Sequence, residues 1–451
     1  MQLLMDFLHN VKGNMFKPLL LFFYAGFAIP LLRVKFEFPK AVYQGLTIYL
    51  LLAIGWKGGE ELASLKPEEL TQALGFMAVG FCVNMIIGVT AYFALRKLTR
   101  LRKIDAATIA GYYGSDSAGT FAICQGVLLA SHIAFAPYMP VMLAVMEIPG
   151  CLVALFLVSK MRNSGAMDAL GNMPGEEGYS RFNKADGSKL PGAIDEELEQ
   201  VVVRKEEELV GAGAAKYSSS TTLVGVRHGH GGGGGHGGSL PEEESEDRQK
   251  ALAAEDEIAL RTGDSNDDAP KAKRPLFSAE LIHEMFLSPG IYLLFAGIAI
   301  GFIARVQGQD VIKDGDQLFK NLFPAILCLF LLEMGMTASR KLSDLKSAGL
   351  PFILFGLIAP NVFATFGMLC AHGYSLAMGH PLEQGTYVMF AVLCGAASYI
   401  ALPAVQRMAI PEASPTLPLA ASLGLTFSYN VTIGIPVYLM IANLLVQHAA
   451  G

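Results

Sequence analysis

The chain has 451 residues, of which 52% are hydrophobic and only 16% charged. That balance is membrane-like and gives no footing for a nucleic-acid partner. The net charge of −6 is unevenly spread: residues 163–274 hold 22 of the 40 acidic and 13 of the 34 basic residues, a net −9, which leaves +3 on the rest.

Residues 1–14 are mildly amphipathic, lack a cleavable signal pattern and read as an interfacial helix. Apolar runs follow near 18–32, 41–56, 70–95, 107–130 and 138–160. They resume near 289–304, 321–338, 350–371, 386–406 and 416–446. About twenty such residues cross a hydrocarbon core roughly 30 Å thick. The fold class expected is therefore all-α, a polytopic membrane protein of about ten transmembrane helices. Residues 1–162 form a first five-helix repeat, 163–274 an acidic, low-complexity linker and 275–451 a second repeat. The six cysteines (Cys82, Cys124, Cys151, Cys328, Cys370 and Cys394) stand singly in apolar runs, which suggests neither a disulfide framework nor a zinc site.

The two membrane halves resemble one another. Pro18-Leu-Leu-Leu-Phe-Phe-Tyr-Ala-Gly-Phe-Ala-Ile29 parallels Pro289-Gly-Ile-Tyr-Leu-Leu-Phe-Ala-Gly-Ile-Ala-Ile300. Leu51-Leu-Ala-Ile-Gly55 parallels Leu331-Leu-Glu-Met-Gly335. Gly114-Ser-Asp-Ser117 falls opposite Gly395-Ala-Ala-Ser398, and Glu147-Ile-Pro149 opposite Gly434-Ile-Pro436. The basic residues Arg33, Lys35, Lys40, Arg96, Lys97, Arg100, Arg102, Lys103, Lys160, Arg162, Arg340, Lys341, Lys346 and Arg407 share one side in a single orientation. By the positive-inside rule that side is cytoplasmic, which puts the linker inside and both termini outside. An odd number of spans per half makes the repeats inverted, an arrangement common among secondary transporters. In the linker, Ile194 to Val210 could form a charged helix. His228, His230 and His236 sit in a glycine run that reads as flexible spacer. Phe277 to Phe286 reads as a stretch along the membrane surface, and His283-Glu284 lacks the second histidine of a zinc-protease helix.

The chemistry concentrates in Gly111-Tyr-Tyr-Gly-Ser-Asp-Ser-Ala-Gly-Thr120. Glycine is a poor helix former, and an ionised carboxylate at mid-depth is costly. Non-helical backbone survives there only where protein or a water-filled cavity surrounds it. The stretch therefore reads as the break of a discontinuous helix that binds a small ligand. Asp116 is the foremost functional candidate, with Ser115, Ser117, Gly119 and Thr120 around it. Cys394-Gly-Ala-Ala-Ser-Tyr-Ile-Ala-Leu-Pro403 is the second break, offering Ser398 and Tyr399. Half-helix N-termini suit an anion. Asp116, Glu147, Asn430 and Thr432 are the residues expected to hold a sodium ion. Asn84 and Asn361 read as interhelical glue. Glu333 has no assigned role.

These motifs resemble the sodium-dependent bicarbonate transport family of bacterial permeases, known from cyanobacterial inorganic-carbon uptake. The resemblance rests on Gly55-Trp-Lys-Gly-Gly59, Gly114-Ser-Asp-Ser-Ala-Gly-Thr120, Glu147-Ile-Pro149, Met334-Gly-Met336 with Arg340, Ala359-Pro360 and Ile435-Pro436. It covers both membrane halves and not the linker. It implies ten spans in inverted repeats, a core domain moving against a gate domain, a trimer in the plasma (inner) membrane, and a PII-like cytoplasmic regulator for some members. It also implies sodium-coupled bicarbonate uptake. Ser115, Ser117, Gly119 and Thr120 fall on the family's first substrate-binding break, and Ala396 to Ile400 on its second. Characterised members are serine-rich with an aspartate in that second break; this chain has Ala396, Ala397, Ser398, Tyr399 and Ile400, with Asp116 in the first.

The expected function is sodium-coupled symport of a small anion, bicarbonate first, by alternating access, with sodium as coupling ion and no cofactor. Proton coupling through Asp116 and Glu147, or another small anion, is the second transporter reading. A channel or a membrane enzyme are the rivals from other classes. The chain has no HExxH, GxSxG or Walker motif, and Asp116 has no second aspartate to make an aspartyl hydrolase.

Overall fold

The computed structural model describes residues 18–179, 288–345, 349–400 and 402–449. Among them the regular structure is helical. In the first half run α1 (Pro18–Leu31), α2 (Lys40–Leu62), α3 (Pro67–Leu98), α4 (Lys103–Tyr113), α5 (Ala118–Ala130), α6 (Met139–Met146) and α7 (Ile148–Asn163). In the second run α8 (Pro289–Gln307), α9 (Gln309–Asp316), α10 (Phe323–Asp344), α11 (Leu350–Met378), α12 (Gln384–Gly395), α13 (Leu402–Ala409), α14 (Thr416–Leu419) and α15 (Ile435–Ala449). Wider π-helical turns occupy Gln317–Asn321, Ala420–Phe427 and Asn430–Gly434. The interfacial segment 1–14, the linker beyond residue 179 with its three histidines, and the stretch 277–286 lie outside the described residues.

Six helical stretches among the described residues are long and apolar enough to cross a bilayer: Pro67–Leu98, Met139–Asn163, Pro289–Gln307, Gln309–Leu342, Leu350–Met378 and Thr416–Gln447. The remaining predicted spans are helical too, but α1 and α12 are shorter, α4 and α5 are parted by a break, and α2 carries charges. Leu354, Ile358, Val362, Leu369 and Leu376 of α11 are exposed, a lipid-facing stripe rather than a solvated one.

Local chemistry explains the helix ends. α3 opens on Pro67, and Glu69 accepts a hydrogen bond from the Lys66 amide at 2.9 Å. Glu68 and Glu69 occupy its first turn, Arg96 and Lys97 its last, so both ends complement the helix dipole. α11 ends where Gly379 takes a left-handed conformation, φ 69°. α2 runs past the predicted end at residue 56, because the charges that follow are paired. Lys57 lies 3.8 Å from Glu61, and Glu60 lies 3.8 Å from Arg305 and 3.0 Å from Lys320.

Two pairings dominate the packing, α2 with α8 and α1 with α10. Both depend on glycine. A Cβ on Gly59 would stand 1.9 Å from the Ile298 carbonyl oxygen, and one on Gly301 2.1 Å from that of Trp56. On the other pair a Cβ on Gly26 would stand 1.9 Å from the Leu332 carbonyl oxygen, and one on Gly335 2.2 Å from that of Phe23. Between helices in lipid, such close backbone approach is the main source of attraction. Gly59→Leu is therefore expected to destabilise the protein by about 1–3 kcal/mol, read as a lowered melting temperature of purified protein. Gly45→Ala, at a site with nothing within 4 Å, should leave that temperature unchanged or raised.

Candidate substrate and ion site at two helix breaks

The helix predicted over 107–130 is interrupted where expected. α4 ends at Tyr113, residues 114–117 are non-helical, and α5 starts at Ala118. Ser117 is its N-cap, accepting from the Thr120 amide at 3.3 Å and from the Thr120 hydroxyl at 3.0 Å. The first intrahelical bond of α5 is Phe121 N to Ser117 O, 2.9 Å. The amides of Ala118 and Gly119 thus belong to the orphan donors of a helix start.

The second break parts α12 from α13, with residues 396–400 outside helix. The two breaks touch. The Ser398 amide donates to the Tyr112 carbonyl at 2.9 Å, so the open end of one interrupted helix is satisfied by the other. The Tyr112 hydroxyl returns to α13 through Gln406, 2.7 Å. Asn430 serves the same break. Its amide donates to the Gly395 carbonyl at 2.9 Å, while its own oxygen accepts from Tyr438 at 2.7 Å.

A third irregularity abuts the first break. Pro149 lies in the first turn of α7, and Glu147 is the joint between α6 and α7. Pro149 has no amide hydrogen to carry the α6 ladder across this joint. The Met146 carbonyl accepts from Asn84 at 3.0 Å and the Glu147 carbonyl from Ser115 at 2.7 Å. Glycines allow the approach: a Cβ on Gly114 would stand 2.9 Å from the Cα of Gly88 and 3.0 Å from that of Gly150.

Most predicted site residues are gathered here. Asp116 is fully buried, and neither carboxylate oxygen has a hydrogen-bond partner. It stands within electrostatic reach of Glu147 and of Cys394 at the end of α12. Ser398 and Tyr399 are buried with unpartnered hydroxyls. Tyr399 presses its hydroxyl to within 1.9 Å of where a Gly119 Cβ would lie, at the start of α5. It lies beside Ser117 without a hydrogen bond of normal geometry. Ser115, Ser117 and Thr120 spend their hydroxyls on local structure. Asn430 is likewise satisfied by protein. Thr432 is only half-buried and donates within its own helix, to Ser428 O at 2.7 Å, so its hydroxyl is not among the free groups. Sequence reading undervalued Asn84, fully buried with an unpartnered side-chain oxygen. It also passed over Gln125, buried with the same deficit.

The crossing is closed, with a void of only about 10 Å³ between Thr47, Leu50, Ile54, Ala118, Gly119, Phe330 and Ile400. A larger cavity of about 680 Å³ lies further along α5, with Lys57, Gln125, Phe319, Lys320 and Leu327 in its wall. At the other end of the broken helix a polar clasp anchors α4. Arg102 donates to both carboxylate oxygens of Asp105, at 2.7 and 3.0 Å, and to the carbonyls of Leu170 and Glu412, at 3.1 and 3.2 Å. Hydrogen bonding by Asp105 raises the Arg102 pKa above its ordinary value, so the guanidinium keeps its charge. Arg162 joins it through the Glu412 carboxylate at 2.7 Å.

A helical membrane protein with two interrupted helices meeting in a buried polar centre is the class these features define. The chain belongs to the Na+-dependent bicarbonate transporter superfamily, whose family profile matches residues 18–443. That membership makes it a transporter and not an enzyme. No curated protein sequence gives a significant match to the chain.

The contact between Gly119 and Tyr399 is testable in a double-mutant cycle. Gly119→Ala should cost about 1–3 kcal/mol of stability, and adding Tyr399→Phe should recover most of it. Additive losses in thermal unfolding would mean that the hydroxyl does not sit at the start of α5.

Proposed function

We propose that the protein is a sodium-coupled symporter of bicarbonate, working by alternating access in the plasma (inner) membrane. The bare carboxylate of Asp116 at the junction of the two breaks carries this reading. A fully buried, unpartnered carboxylate costs several kcal/mol unless a cation or proton joins it. No lysine, arginine or histidine among the described residues pairs with Asp116 or Glu147. Asp116 and Glu147 bind the sodium, and the first amides of α5 with Ser398 and Tyr399 receive the anion. Oxygen-only donors suit a hard cation. Ser115, Ser117, Thr120 and Asn430 hold the two breaks in shape. No cofactor has a part in this scheme.

The ten-span, inverted-repeat arrangement is supported by the exchange in the packing. α1 corresponds to α8 in sequence and α2 to α10, and the α1–α10 contact becomes the α8–α2 contact when the halves are swapped. These glycine-packed helices are the gate; the broken helices with α3, α7, α11 and α15 are the moving core. Lys57 over the Phe135 ring, 4.6 Å from its centroid, is one contact between the two. The linker and the Arg102 clasp are cytoplasmic, both termini outside, and the family's trimer and PII-like regulator are the expected partners.

In proteoliposomes an inward sodium gradient should drive accumulation of labelled bicarbonate, and Asp116→Asn should raise the half-saturating sodium concentration about tenfold or more, a loss of roughly 1.4 kcal/mol. Uptake that ignores sodium but follows a proton gradient would transfer the coupling role to the Asp116–Glu147 acid pair. Flux that never exceeds equilibrium would make the protein a channel.

A further inference from the structure

Asn84 sits on α3, fully buried, between the two irregular segments that carry the acids. On one side its side-chain nitrogen donates to the Met146 carbonyl at 3.0 Å, next to Glu147. On the other, its main-chain carbonyl oxygen lies 3.1 Å from where a Gly114 Cβ would stand, two residues from Asp116. The bond to Met146 fixes the plane of the amide. The side-chain oxygen is then held in a set direction, buried and without a donor. Chains rarely keep such an atom unsatisfied. Here three unpartnered buried oxygens, one from Asn84 and two from Asp116, occur on neighbouring segments, with the Glu147 carboxylate close by.

We propose that the Asn84 side-chain oxygen is a ligand of the transported cation and selects sodium over the proton at the Asp116–Glu147 pair. The proposal rests on the sodium-coupled reading above and adds a residue from a third, unbroken helix. Its chemical logic is an asymmetry. Two buried carboxyls alone can be neutralised by sharing a proton. An amide oxygen takes up no proton at physiological pH but coordinates a hard cation well. It therefore strengthens sodium binding without strengthening protonation. Among the described residues no three His, Cys, Asp or Glu gather as a metal site; two carboxyls and an amide are a sparse set, suited to a monovalent ion. The contact of Gly88 on Gly114 brings α3 against the first break, and that of Gly150 brings α7, with the Glu147 joint, against it.

The experiment uses full-length protein in proteoliposomes and in detergent, with Asn84→Leu as an isosteric variant lacking the oxygen and Asn84→Asp as one that keeps an oxygen ligand. Wild type should show sodium-driven bicarbonate uptake and a melting temperature that rises with sodium but not with choline. In Asn84→Leu the half-saturating sodium concentration should rise about tenfold or more, the sodium-specific rise in melting temperature should vanish, and uptake driven by a proton gradient should emerge. Half-saturation by bicarbonate at saturating sodium should stay as in wild type, which a general loosening of the fold would not allow. Asn84→Asp should retain sodium-specific stabilisation, and it carries the test if Asn84→Leu does not fold. Sodium-dependent wild type with unchanged sodium affinity in Asn84→Leu, or loss of the sodium response in a folded Asn84→Asp, overturns the role of Asn84 alone. Wild-type uptake indifferent to sodium overturns the symport reading and this inference together.

Discussion

Interrupting a helix inside a low-dielectric medium leaves amides and carbonyls that water cannot serve, and the rest of this structure follows from how they are served. The Ser398 amide takes the Tyr112 carbonyl; Asn430 takes Gly395; Asn84 and Ser115 take the carbonyls at the Glu147 joint. Each repair comes from another segment, so the breaks cannot exist singly. Once they are joined, the unpartnered buried groups left on the broken helices and on Asn84 are the Asp116 carboxylate, the Ser398 and Tyr399 hydroxyls, and the Asn84 and Gln125 oxygens. Function is read from that remainder rather than from the whole list of polar residues.

The first break was legible because glycine, serine and aspartate concentrate in ten positions of an apolar run, and a serine N-cap before α5 is a local signal. The second was legible from Gly395 and Pro403. What the sequence could not tell is which polar groups stay free. Asn430 and Thr432 read as sodium ligands beside Asp116, but Asn430 is held by Gly395 and Tyr438, partners that only folding supplies, and Thr432 by Ser428 O in its own helix. Asn84 looked like simple glue; one half of its amide is that, and the other half is not. The length of α2 was hidden for a similar reason, because Lys57, Glu60 and Glu61 read as a boundary until the partners of Glu60 on α8 and beside α10 are known.

Glycine plays two physical parts here. At Gly59, Gly301, Gly26 and Gly335 it brings continuous helices into backbone contact and makes rigid pairs. At Gly114 and Gly150 it brings an interrupted helix against its neighbours, so that short side chains reach across. The same residue type thus builds both the stiff and the chemically active regions.

The clasp around Arg102 has a mechanical meaning. It ties residues 168–176, which follow α7, to the first turn of α4 and to the loop at Glu412 beyond α13. A displacement of residues 168–176 is delivered to both interrupted helices at once. Residues 168–176 are in this sense a lever whose short arm ends one helix, eleven residues long, from Gly114.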